Sequence, residues 1–78
     1  MNKDLLARIT HAADTMGGRP CIRGMRVTVG TILGLLSAGR SIADVLAAYP
    51  YLEADDVYAA LAYAAWRAEE VDLPSKAS

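Results

Sequence analysis

The sequence predicts a small, mainly α domain: three helices packed as a bundle behind a short N-terminal β element. Three observations carry this reading. First, 78 residues form one core at most, because a chain this short buries only about 60% of its unfolded surface. Second, the apolar fraction is 54%, above the usual range of about 45–50%, which argues against disorder. Third, the hydrophobic period changes near Thr28, from extended and Gly-rich before it to helical after it.

Leu5 to Ala12 alternates Leu6, Arg8 and Thr10 against Leu5, Ile9 and His11, the pattern of a short strand. Asp14 to Pro20 holds Gly17, Gly18 and Pro20 and reads as a loop, since glycine supplies positive φ and proline a fixed one. Cys21-Ile22 and Arg26 to Val29 are brief extended pieces on either side of a turn at Arg23-Gly24-Met25. From Thr28, a candidate N-cap, Val29, Ile32, Leu33 and Leu36 recur at helical spacing, and Gly39 stands where a C′ glycine closes a helix. Ser41 and Asp44 form a capping-box pair, Ile42, Val45, Leu46 and Tyr49 make the stripe, and Pro50 ends the helix. Glu53 to Glu70 contains no Gly or Pro and predicts the longest helix, with Glu53, Asp55 and Asp56 offsetting the positive end of its dipole. On it Val57, Leu61, Ala64, Ala65 and Ala68 are expected to face inward. The expected organisation is one domain over residues 1–70, with a β element at 5–29, helices at about 29–38, 42–49 and 54–70, and a flexible tail at 71–78.

Composition excludes several classes. A multi-domain enzyme does not fit this length, and no apolar run approaches the roughly 20 residues of a membrane span. The single Cys21 forms no internal disulfide and no leader pattern precedes the domain, so a cytoplasmic protein is expected. Apolar side chains in excess of what one subunit hides imply a homodimer. Charge is divided: residues 1–40 carry a net +4 and residues 41–78 a net −5, which implies two surfaces with different partners.

No catalytic constellation emerges. His11 has no Cys, Ser or carboxylate at an activating spacing, Cys21 reads as a small buried side chain, and Gly17-Gly18 lacks the Lys and Ser/Thr of a phosphate loop. Asp55 and Asp56 project about 100° apart and read as capping and solvated residues, not as a metal site. No enzyme, cofactor, metal or small-molecule substrate is therefore expected. The helices at 42–49 and 54–70, with the Tyr49-Pro50-Tyr51-Leu52 turn, have the order of a helix-turn-helix, but three carboxylates in the leading turn of the second helix would oppose DNA phosphates. If DNA is bound, Arg8, Arg19, Arg23, Arg26 and Arg40 are the expected contacts. Their structural alternative pairs Arg23 and Arg26 with Asp44, Asp14 or backbone carbonyls.

The stretch Gly18-Arg19-Pro20-Cys21-Ile22-Arg23-Gly24-Met25-Arg26-Val27-Thr28-Val29 resembles the signature of the domain-of-unknown-function 433 family. Ala38-Gly39-Arg40-Ser41, Tyr49-Pro50-Tyr51-Leu52, and Asp55-Asp56-Val57 through Ala60-Leu61-Ala62-Tyr63-Ala64 continue the match, so it spans about residues 8 to 70. Met25 stands where Thr is usual, and Glu53 where a Thr or Ser cap is usual. The resemblance implies a three-helix, homeodomain-like (helix-turn-helix) domain preceded by short strands, often dimeric, and frequently a VapB-like antitoxin encoded beside a PIN-like nuclease toxin. The implied function is non-catalytic: to neutralise the nuclease and, with it, to repress the shared operon. Its acidic half would then meet a basic nuclease face, with Tyr58, Tyr63 and Trp66 as aromatic anchors. The alternatives are a stand-alone DNA-binding regulator and an orphan protein-interaction dimer.

Overall fold

The computed structural model describes residues 3–70, and the segment expected to be a tail, 71–78, lies outside the described residues. Its element order is α1 (Lys3–Leu6), β1 (Ile9–Thr10), a 3-10 turn (Met16–Gly18), β2 (Cys21–Ile22), α2 (Val29–Ser37), α3 (Ile42–Ala48) and α4 (Ala54–Glu70). The fold is a mainly helical bundle with a two-stranded antiparallel sheet at its N-terminal end.

The expected strand over residues 5–12 shrinks to Ile9–Thr10, because the chain first makes a helical turn against α4. Leu5 and Leu6 are both half-buried. Neighbours on a strand point to opposite faces, whereas on a helical turn they sit about 100° apart and can share one. Ile9 pairs with Ile22 and Thr10 with Cys21. The expected strand at 26–29 is also reduced: Thr28 bridges Cys21, while Val29 already opens α2. The chain doubles back between them, with Ile22 N donating to Val27 O at 3.0 Å and Met25 N to Ile22 O at 2.7 Å. Arg23 and Gly24 both take positive φ, +47° and +73°, the requirement of a type I′ turn.

The helix boundaries follow their caps. Thr28 Oγ1 accepts from Thr31 N at the start of α2. Gly39, at φ +92°, donates to Leu36 O while Arg40 N donates to Leu35 O, which closes α2 in a Schellman motif. Ser41 and Asp44 make both bonds of the capping box at 3.0 Å. The backbone bond from Ser41, with the Ser41 side-chain bond second, holds the Asp44 carboxyl below its ordinary range.

The core is built from small aliphatic side chains: Ile22, Val27, Val29, Ile32, Val45, Leu52, Val57 and Ala60. Met25 packs against it, so Met in place of the usual Thr is accommodated. On α4 the inward side is Asp56, Val57, Ala59 and Ala60, fully buried, with Tyr63 and Ala64 half-buried; Val57 and Ala64 are as expected, but Leu61, Ala65 and Ala68 are exposed. The reason is Asp56, which is fully buried. Drawing that carboxylate inward sets the helix phase, and Leu61 then projects about 140° from it.

Candidate functional site

Asp56 stands at the third position of α4 and its carboxylate is 0% exposed. Arg23 grips it with a fork, Nε to Oδ1 at 3.0 Å and Nη2 to Oδ2 at 2.8 Å. Arg8 Nη1 donates to Oδ1 at 2.9 Å, and Glu53 N donates to Oδ2 at 2.8 Å. The last bond is half of a capping box. The other half is replaced: Glu53 sends its carboxylate to Arg8 Nη1 at 2.8 Å instead of capping the helix. Asp55 lies 3.7 Å from Arg8 Nη2. Burial pushes the Asp56 carboxyl up, but hydrogen bonds from Arg23, the Glu53 N–H and Arg8 outweigh it and lower the pKa to about 2. The same contacts raise both arginines, chiefly through Glu53 for Arg8 and Asp56 for Arg23.

The left-handed backbone of Arg23 belongs to this arrangement. Its N–H donates to Arg8 O at 2.7 Å, which places both arginines at the hairpin tip facing the start of α4. Arg23 Nη2 also reaches Tyr51 O at 3.4 Å. The cluster therefore ties α1–β1, the hairpin and α4 together across 33 to 48 residues of chain. Much of the charge division along the sequence is internal pairing.

Of the five arginines expected to contact DNA, two are thus engaged with α4. Arg23 pairs with Asp56 and a backbone carbonyl, not with Asp44 or Asp14. Arg19, Arg26 and Arg40 are exposed. Arg19 lines a groove with Thr28 and Thr31 at the start of α2, whereas Arg40 follows its end, so the length of α2, about 13 Å, separates them. The leading turn of α4 retains exposed Glu53 and Asp55.

The three expected anchors do not share one face. Tyr63 is half-buried against the core, 5.7 Å from the Trp66 ring and 6.1 Å from the His11 ring. With Leu6 and Ile9 these three line an apolar groove of about 210 Å³. Arg67 places its guanidinium carbon 5.9 Å from the Trp66 ring centre, within cation–π range. Tyr58 lies about 140° around α4 from Tyr63, on the solvent side with Leu61. Cys21 is buried, and its Sγ donates to Arg19 O at 3.3 Å. Among the described residues, no three His, Cys, Asp or Glu side chains gather in a way that could hold a metal ion. No helix among them is long and apolar enough to cross a membrane.

Fold and site together define a small helical domain whose N-terminal hairpin is fastened to its longest helix by a buried, arginine-gripped carboxylate. The family model described as protein of unknown function (DUF433) matches residues 9–64, and the chain belongs to that family. The matched stretch includes Arg23 and Asp56 and stops short of Arg8 and Trp66. The chain is similar to the crystal structure of a DUF433 member from Anabaena variabilis, with 31% identity and a TM-score of 0.76, covering 90% of this chain and 69% of that one. It is also 38% identical over 56 residues to the uncharacterized protein y4eO of Sinorhizobium fredii. That match takes in 72% of this chain but spans only 25% of the curated relative.

Proposed function

We propose that the chain is a non-catalytic binding module that acts in the cytoplasm as an antitoxin, docking on a PIN-like nuclease toxin and silencing it. The observation that carries this reading is the surface of α4. Tyr58, Leu61 and Trp66 remain exposed there, in a domain that has already buried its aliphatic core. Exposed aromatic and aliphatic side chains gathered on one helix are the material of a protein interface. The reading is tested by expressing a PIN-like nuclease encoded beside this chain, alone and together with it. The expected result is growth arrest by the nuclease alone, rescue by the pair, and their co-purification. Nuclease activity that persists under an excess of the purified chain refutes the reading.

DNA binding is a second reading, favoured by exposed Arg19 at the start of α2 and by Arg26. It predicts affinity that falls steeply with salt and with Arg19→Ala or Arg26→Ala. These are the informative variants, because loss of Arg8 or Arg23 would unfasten the fold. Self-association is proposed as well, and sedimentation at micromolar concentration measures it against the 8.3 kDa monomer.

A further inference from the structure

The solvent side of α4 has a definite layout. With about 100° between successive residues, Leu61, Ala65, Tyr58 and Ala62 fall within an arc of about 100°. Tyr58 and Leu61 are 48% and 41% exposed, Ala65 is exposed beside them, and Ala62 is half-buried at the edge of the arc. Asp55 and Glu69, both exposed, flank this strip before its first and after its last apolar residue, about 21 Å apart along the axis. At the Asp55 end two guanidiniums, Arg8 and Arg23, face the three carboxylates of Glu53, Asp55 and Asp56, so one negative charge is left over. The face is thus an apolar strip about 10 Å long with an anionic border at each end.

That charge layout discriminates between occupants. A second copy laid antiparallel would bring its Glu69 end onto the Glu53–Asp55 end of the first. Laid parallel, each acid would meet its own counterpart. Either way like charges are apposed where apolar contact is made, which costs association. We propose that this face of α4 is the docking site for an amphipathic helix of a partner protein, one presenting an apolar ridge with Lys or Arg at both ends. The proposal rests on the binding-module reading and assigns its contact surface. Tyr58 and Leu61 fill the gaps of the partner's ridge, Ala62 and Ala65 let its backbone approach, and Asp55 and Glu69 set its register by pairing with the flanking cations.

The test uses the whole chain and a fluorescein-labelled helical peptide of about 18 residues with Leu at i, i+4 and i+7 and Lys spaced as Asp55 is from Glu69. Fluorescence anisotropy is expected to show saturable binding that weakens as salt rises, with amide shifts centred on Tyr58, Leu61, Ala62 and Ala65. Leu61→Glu and, independently, Ala65→Glu are expected to weaken it about tenfold or more, with circular dichroism unchanged because both side chains are exposed. A peptide with Glu in place of the Lys residues is expected to bind about tenfold more weakly, or not at all. Four results overturn the proposal: no binding, equal binding of the Glu-flanked peptide, shifts confined to the Tyr63–Trp66 groove, or a parent dimer that Leu61→Glu dissolves. The nuclease assay separates the two readings. Silencing that survives Leu61→Glu removes this face and leaves the antitoxin reading intact, whereas peptide binding at α4 without nuclease inhibition does the reverse.

Discussion

Replacing Asp56 by Asn keeps the shape of a fully buried side chain and deletes its charge. The fall of its pKa from 3.8 to about 2 corresponds, at about 1.36 kcal/mol per pH unit, to roughly 2.5 kcal/mol of preference for the charged form. Arg8 and Arg23 keep 27% and 37% of their side-chain surface open to water, so screening trims this to about 1–2 kcal/mol. Asn retains one acceptor oxygen but turns an NH2 group toward a guanidinium, which leaves the two donors now bonded to the replaced oxygen unmet, at about 1 kcal/mol more because the guanidiniums stay open to water. The total is about 2–3 kcal/mol, or roughly 10 °C or more in the thermal midpoint of a domain this small. Thermal unfolding followed by circular dichroism at pH 7 measures it.

The pH dependence of the same difference is a sharper check. Asp56 titrates lower in the folded chain than in the unfolded one, so its contribution is fully present above about pH 4. As pH falls from about 4 toward 2 the unfolded chain takes up the proton first, and the contribution fades; below the folded pKa it is gone. The gap between parent and Asp56→Asn should therefore stay constant from pH 7 to 5 and narrow below pH 4. Asp44 also titrates low and adds to acid lability, but equally in both proteins, so it cancels in the gap. A variant within 2 °C of the parent at pH 7 (about 2 °C being below the effect of 1 kcal/mol), or a gap that ignores acid, would sink this account of the cluster.

Gly39→Ala forces a Cβ onto φ +92° with open space around it, so the cost is conformational alone, about 1 kcal/mol in urea denaturation. Gly34→Ala, in the middle of α2 with nothing within 4 Å of the added carbon, should instead raise stability by about 0.5–1 kcal/mol. Ser41→Ala removes the hydroxyl that caps Asp44 N and should cost about 1 kcal/mol, lowering the urea midpoint with an unchanged slope. Arg26→Ala should leave the thermal midpoint in place while Arg23→Ala lowers it, since Arg23 and not Arg26 grips Asp56; equal midpoints for the two variants would contradict the pairing.

How legible this protein is in its sequence depends on the range of the interaction concerned. The cap at Thr28, the Schellman close at Gly39, the box of Ser41 and Asp44 and the Pro50 stop are contacts within five residues of chain, and each is present where the side chains predict it. Cys21 is buried as a small apolar side chain. The inner face of α4 departs from the hydrophobic pattern at Leu61, Ala65 and Ala68, because hydrophobicity alone puts an apolar leucine inside and a carboxylate outside. The Asp56 cluster does leave a signal in the sequence, a basic half beside an acidic half, but the same pattern fits two outward surfaces equally well.

Caps and hydrophobic periodicity act between residues that are neighbours along the chain, so the three longer helices, their ends and the mainly α class are legible in the sequence, whereas the opening turn α1 is not. Which charges meet, which way α4 is turned and which of its side chains remain for a partner follow from the packing of elements far apart in the chain. Arg8, Arg23 and Asp56 are brought within 3 Å only when the hairpin lies against the head of α4. A bond of that length between residues so far apart depends on the packing of every element between them, and no local pattern encodes it.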